Sequence, residues 1–150
     1  MKSTNNRKKA LLIGIGNASR GDDALGWLFA EQAEKQLSEI FDVEFRYQLQ
    51  VEDAGLVAEY DHVVFADAFS GKNEKGFQIK PVIPSSVYHF SSHMQSPDAI
   101  LYLCNTLFGR YPKAEVVMMQ GEEWDLGDPV SESAKHYLEE AWTYFLKRVN

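Results

Sequence analysis

The chain has a single cysteine, Cys104. No intrachain disulfide can form, and a thiolate-rich metal site is excluded. Long apolar runs are also missing. No window approaches the roughly 20 apolar residues that span a bilayer. Ala10 to Ile15 is too short for a signal-peptide core and runs straight into Gly16 and Asn17. A cytoplasmic protein without membrane contact is therefore expected. Positive charge is scarce, with 15 Lys and Arg against 22 Asp and Glu and a net charge of -7. Such a surface repels phosphate backbones, so nucleic acid is not an expected partner. The chain contains no Gly-x-Ser-x-Gly elbow and no phosphate loop ending in Lys-Ser or Lys-Thr. Gly14-x-Gly16 suggests a dinucleotide loop, but Ser19 stands where the third glycine belongs. Leu49-Gln50-Val51-Glu52 is also a poor fit to the acidic strand end that such a site requires.

What remains is patterned as one domain over residues 1–150, with a polar, frayed opening to Lys9. Leu11 to Ile15 is an apolar strand ending in a glycine turn. Asp22 and Asp23 precede Leu25, Leu28, Phe29, Ala33 and Leu37 at helical spacing, and aspartates there favour a helix start. Val43 to Leu49 alternates as a strand with one wet face. Glu52 to Glu59 suits a short helix, and His62 to Ala68 is a second apolar strand interrupted by Asp67. Ser70 to Gly76 is a polar turn. Phe77 to Ile83 is a strand that Pro81 assigns to a sheet edge, with an antiparallel direction open to it. Ser96-Pro97-Asp98 starts a helix with Ile100, Leu103, Cys104 and Leu107 on one face. Glu115 to Gln120 is a strand, and Ser131 to Val149 a long amphipathic helix. The order β-α-β-α-β-β-α-β-α predicts an α/β three-layer sandwich. Its sheet should be mostly parallel and doubly wound, of about five strands, with Leu11–Ile15 beside Val63–Ala66.

Ligands in such sheets bind outside the carboxyl ends of the strands. Asp23, Asp67 and His93 converge there. Asp67 follows four core residues, where a carboxylate needs a partner; a loop or helix cap is the plainer role. Asp22 and Asp23 leave open which one points inward, and one of them could simply favour the helix dipole. His93 lies in a serine-rich loop, with His89 as a competitor. His62 and His136 fall away from the crevice, and Cys104 belongs to an apolar helix face. Two carboxylates and an imidazole suit a borderline divalent cation such as nickel, zinc or manganese, with positions left for water or substrate.

Ile13 to Gly26, through Gly14-Ile15-Gly16-Asn17 and Asp22-Asp23, resembles the opening motif of the hydrogenase maturation proteases. Phe65-Ala66-Asp67-Ala68 resembles their second motif, and Ser92-His93 with Ser96-Pro97 their histidine loop. Gly121-Glu122, Asp125-Leu126-Gly127 and Val130-Ser131 resemble their closing segment. Gln48-Leu49-Gln50 replaces a glycine-rich loop found in some members, which bears on the hydrogenase group served. The resemblance implies a monomeric endopeptidase that removes the C-terminal extension of a nickel-hydrogenase large-subunit precursor. Its metal would be nickel presented by that substrate and gripped by Asp23, Asp67 and His93, with other divalent cations able to substitute. Two other readings stand beside it. One is a flavodoxin-like nucleotide- or phosphate-binding domain, the other a peptidyl-tRNA-hydrolase-like enzyme, which the lack of a basic stripe disfavours.

Overall fold

A computed structural model of the chain describes residues 10–85 and 95–150. Five strands form one sheet: β1 (Ala10–Ile15), β2 (Phe41–Arg46), β3 (His62–Ser70), β4 (Phe77–Pro81) and β5 (Lys113–Gly121). Their spatial order is β2-β1-β3-β5-β4. The first four strands in that order run parallel, and only β4 is antiparallel, paired to β5 at the sheet's edge. The expected neighbours are in place, with Leu12 opposite Val64 and Ile13 opposite Phe65. Pro81 closes the outer strand, where its missing N–H costs least.

Among the described residues the α-helices are α1 (Leu25–Gln36), α2 (Asp53–Val57), α3 (Pro97–Phe108) and α4 (Glu132–Val149). Alternating strand residues supply two cores because successive side chains leave opposite faces of a strand. Leu12, Val64, Val117 and Met119 pack against Phe29 of α1 and Trp142 and Phe145 of α4. Leu11, Ile13, Val63 and Phe65 pack against Ala54 and Val57 of α2 and Ile100 and Cys104 of α3. Each large side chain so buried contributes about 1.5–3 kcal/mol of transfer free energy. None of the helices among the described residues is long and apolar enough to cross a membrane.

Three local readings need correction. β2 begins at Phe41 and stops at Arg46, not at Leu49. Its neighbour β1 ends at Ile15, opposite Arg46, and Gly16 N–H closes the ladder on the Arg46 carbonyl at 2.9 Å. Beyond that pair no strand remains to pair with. Leu107 is 57% exposed, so the apolar face of α3 stops at Cys104. Asp22 and Asp23 do not cap α1. They lie in a single 3₁₀ turn, Gly21–Ala24, and neither carboxylate accepts a helix N–H.

The glycines around β1 seat α1 tightly on the sheet. A Cβ at Gly26 would collide with the Ile15 carbonyl oxygen and stand 2.5 Å from that of Ala66. We expect Gly26→Ala to push α1 away and cost about 2–3 kcal/mol, since both obstructing groups are backbone. A chemical melt within about 0.5 kcal/mol of wild type would refute this close packing.

Candidate functional site

The crevice is built where β1 gives out and β3 continues. β1 is paired with β3 only as far as Gly14 opposite Ala66, whereas β3 stays paired with β5 to Ser70 opposite Gly121. Asp67 is the first β3 residue past that last pair, opposite Met118 of β5. Its face is given by its neighbours. Phe65 belongs to the core under α2 and α3, and Met118 packs on that same core, so Asp67 faces that side. It lines a cleft of about 370 Å³ with Lys80, Val82, Pro97, Asp98 and Met118. A larger groove of about 740 Å³ runs along α4 past Glu74, Tyr137 and Tyr144. It holds neither Asp23 nor Asp67, whereas the smaller cleft holds Asp67.

Among the described residues Asp67 receives one hydrogen bond, from the Ala68 N–H at 2.8 Å. Burial pushes its carboxyl up, and the negative charge of Asp23 pushes it further. The Ala68 bond offsets only part of this, and the carboxyl reaches about 7. Among the described residues Asp67 thus has a single hydrogen-bond donor, and it feels the charge of a second carboxylate. A divalent cation would relieve both penalties, since it favours the charged form of each.

Asp23 lies in the turn after β1, near enough for its charge to act on Asp67. Gly16 has φ of 144°, a conformation that favours glycine, and a Cβ there would collide with the Asp23 carbonyl oxygen. The glycine thus lets the turn fold back over the end of β1. The Asp23 carboxylate accepts the Asn17 N–H at 2.8 Å. Burial raises its carboxyl above the ordinary value, against the lowering effects of that bond and of Arg20. A phosphate on this loop would have to displace a carboxylate from the Asn17 amide, which weighs against the nucleotide reading.

Asp22 points the other way and is fully buried. Its Oδ2 accepts Glu122 N–H at 2.7 Å, Glu123 N–H at 3.1 Å and the Ser131 hydroxyl at 2.7 Å, and its Oδ1 accepts Ser131 N–H at 2.7 Å. Burial alone would raise this carboxyl. The four bonds outweigh it and hold the group below its ordinary value. Of the adjacent pair, Asp23 is the one left for the crevice. Ser131 was legible as the helix start, and its hydroxyl does accept Ala134 N–H at 3.2 Å. Its partnership with Asp22 was not, because nothing local encodes a bond across 109 residues.

His93 and its competitor His89 lie outside the described residues. Among the described residues no three His, Cys, Asp or Glu side chains are gathered as a metal site. His62 stands at the start of β3, opposite Lys113, at the far end of the sheet. His136 is on α4, 3.5 Å from Glu140. Arg46 and Asp53, not singled out in the sequence, tie the chain after β2 to α2 through a 3.0 Å ion pair. Beside them Tyr47 stacks on Trp27 with ring centroids 5.4 Å apart.

Among solved structures the chain is similar to the hydrogenase maturating endopeptidase HybD from E. coli, at TM-score 0.73 and 20% identity over 95% of this chain and 92% of that one. It is similar to the NiFe hydrogenase maturation protease HycI from Thermococcus kodakarensis KOD1, at TM-score 0.71 and 23% identity over 95% and 93%. A hydrogenase 2 maturation peptidase from Thaumarchaeota archaeon SCGC_AB-539-E09 follows at 0.67 and 15% over 95% and 99%. No family model and no curated protein matches the chain in sequence. At these identities the likeness is one of fold, and the chain has the fold of the hydrogenase maturation endopeptidases.

Proposed function

We propose that the chain is a hydrogenase maturation protease that cuts the C-terminal extension from a nickel-hydrogenase large-subunit precursor once nickel has been inserted. The observation that carries this reading is the juxtaposition of Asp23 and Asp67 at the carboxyl ends of β1 and β3, in a fold shared with such endopeptidases. Two oxygen donors fit a borderline divalent cation, and His93 completes the proposed set with a nitrogen. No thiolate takes part, so the grip is modest and depends on the partner presenting the ion. The substrate's nickel is then both the mark that is read and the charge that stabilises Asp23 and Asp67 in their ionised forms. With three protein ligands, coordination positions stay open for a substrate group or a water near the scissile bond.

Cys104 has no part in the chemistry. It is fully buried, its Sγ lies 3.2 Å from the Ala54 carbonyl oxygen, and burial pushes its thiol up to about 11. A thiol so placed is neither ionised nor reachable as a nucleophile.

The test is incubation with nickel-loaded and nickel-free precursor, read out by the mass of the large subunit. Wild type and Cys104→Ala should both release the C-terminal peptide, and only from the loaded form. Equal processing of nickel-free precursor would overturn the metal-reading step. Loss of cleavage in a folded Cys104→Ala would replace it with covalent catalysis.

A further inference from the structure

We infer that Asp22, a buried carboxylate the proposed chemistry leaves unused, is a positioning residue that sets the direction of the Asp23 carboxylate through the 121–131 segment. The inference rests on the reading of Asp23 as a metal-gripping group. In a 3₁₀ turn consecutive residues point about 120° apart. Within Gly21–Ala24, fixing Asp22 inward therefore fixes Asp23 outward, toward the crevice. Among the described residues the hydrogen bonds that restrain Asp23 are local. Its N–H bonds to the Arg20 carbonyl and its carboxylate to the Asn17 N–H, both within its own loop. Asp22 ties that loop to a segment about a hundred residues away. Gly21 N–H to the Asp128 carbonyl at 3.1 Å, Asp22 N–H to the Glu123 carbonyl at 2.7 Å and Gly127 N–H to the Ser19 carbonyl at 2.8 Å zip the two segments together.

The Asp22 site demands a carboxylate. Three N–H groups and one hydroxyl converge on its two oxygens. An ionised carboxylate accepts at every position, whereas an amide brings its own donors. An asparagine at this position cannot satisfy the set: the O–C–N plane that keeps an oxygen at the Oδ2 position turns an NH₂ toward the Ser131 N–H. Asp22→Asn thus keeps the size and breaks the restraint on one side. Ser131→Ala removes the hydroxyl's bond to Asp22 together with its acceptance of the Ala134 N–H, and Ser131→Thr retains both.

The experiment uses the full chain and two readouts. Calorimetric titration with Ni²⁺ alone measures the grip, and hydrogen exchange at the Asn17 amide reports where the Asp23 carboxylate sits. Asp22→Asn should weaken Ni²⁺ binding about 10–100-fold, the usual effect of losing a partner that orients a ligand. It should also speed exchange at Asn17 while the Leu12 and Val64 amides stay protected. Ser131→Ala should do the same more mildly, and Ser131→Thr should restore both. Wild-type affinity and Asn17 protection in a folded Asp22→Asn overturn the inference. If Asp22→Asn exposes Leu12 and Val64 as well, the Ser131→Ala and Ser131→Thr pair decides, and identical behaviour of the two overturns it. If wild type binds no free Ni²⁺, the metal reading is decided by the nickel-loaded and nickel-free precursor assay. Asn17 exchange then decides the positioning role, upheld if the variants speed it and overturned if they do not.

Discussion

Asp67→Asn should abolish precursor cleavage and, in the free protein, raise stability at pH 8. Both effects come from one carboxyl. Burial, then the charge of Asp23, raises it to about 7 from an ordinary 3.8. Between those values the folded chain binds more protons than the unfolded one. Its contribution to stability is complete below about 3.8 and is lost as pH rises through about 7. An amide has no charge to desolvate, so the loss disappears. With water relaxing around a half-buried group, the gain at pH 8 should be about 2 kcal/mol. At pH 4 the two proteins should melt together. The same substitution removes a charged oxygen donor from the proposed nickel grip, and cleavage should fall below detection, as it should in His93→Ala. Thermal melts at pH 4 and pH 8 with mass-detected cleavage test both halves. An Asp67→Asn protein that is less stable than wild type at pH 8 contradicts the desolvation argument. One that still cleaves at a tenth of the wild-type rate contradicts the ligand assignment.

Asp22→Ala should have the opposite sign and a larger size. Four donors lose their acceptor inside the protein, and removing one side of a buried charged network costs about 3–5 kcal/mol. The pH dependence is also reversed. Because the bonds hold the Asp22 carboxyl below its ordinary 3.8, its stabilisation is complete above that value and fades as pH falls below it. Urea midpoints of wild type and Asp22→Ala should therefore lie far apart at pH 7 and draw together below pH 3. A gap under about 1 kcal/mol at pH 7 would show that the four bonds contribute little net stability.

The fold was written in the sequence wherever burial on both faces makes a strand apolar throughout, as in Leu11–Ile15 and Val63–Ala66. Pro81 marked an edge because a missing N–H is tolerated at few places in a sheet. Strand ends were not legible for β2. The alternation of Val43, Phe45, Tyr47 and Leu49 continues past Arg46, but a strand lasts only as long as its neighbour, and β1 stops at Ile15. Tyr47, expected on the apolar face, is 70% exposed and stacks on Trp27, while Leu49 is buried beyond the strand. At the candidate site the places of Asp23 after β1 and of Asp67 after the apolar part of β3 were legible. The division of labour between Asp22 and Asp23 was not. It depends on donors at Glu122, Glu123 and Ser131, and adjacent identical residues carry no local mark of partners so distant.

The bond between residue 22 and residue 131 also bears on the order in which a ribosome delivers the chain. β1, β2 and β3 emerge early and can pair with one another before the last third is made. The Asp22 carboxylate then waits for the final stretch, because its donors leave the exit tunnel only after α4 has been synthesised. Closing so long a loop is entropically slow. A nascent chain that has paired β1, β2 and β3 would still hold Asp22 without its partners, and the turn that carries Asp23 would gain this anchor only after β5.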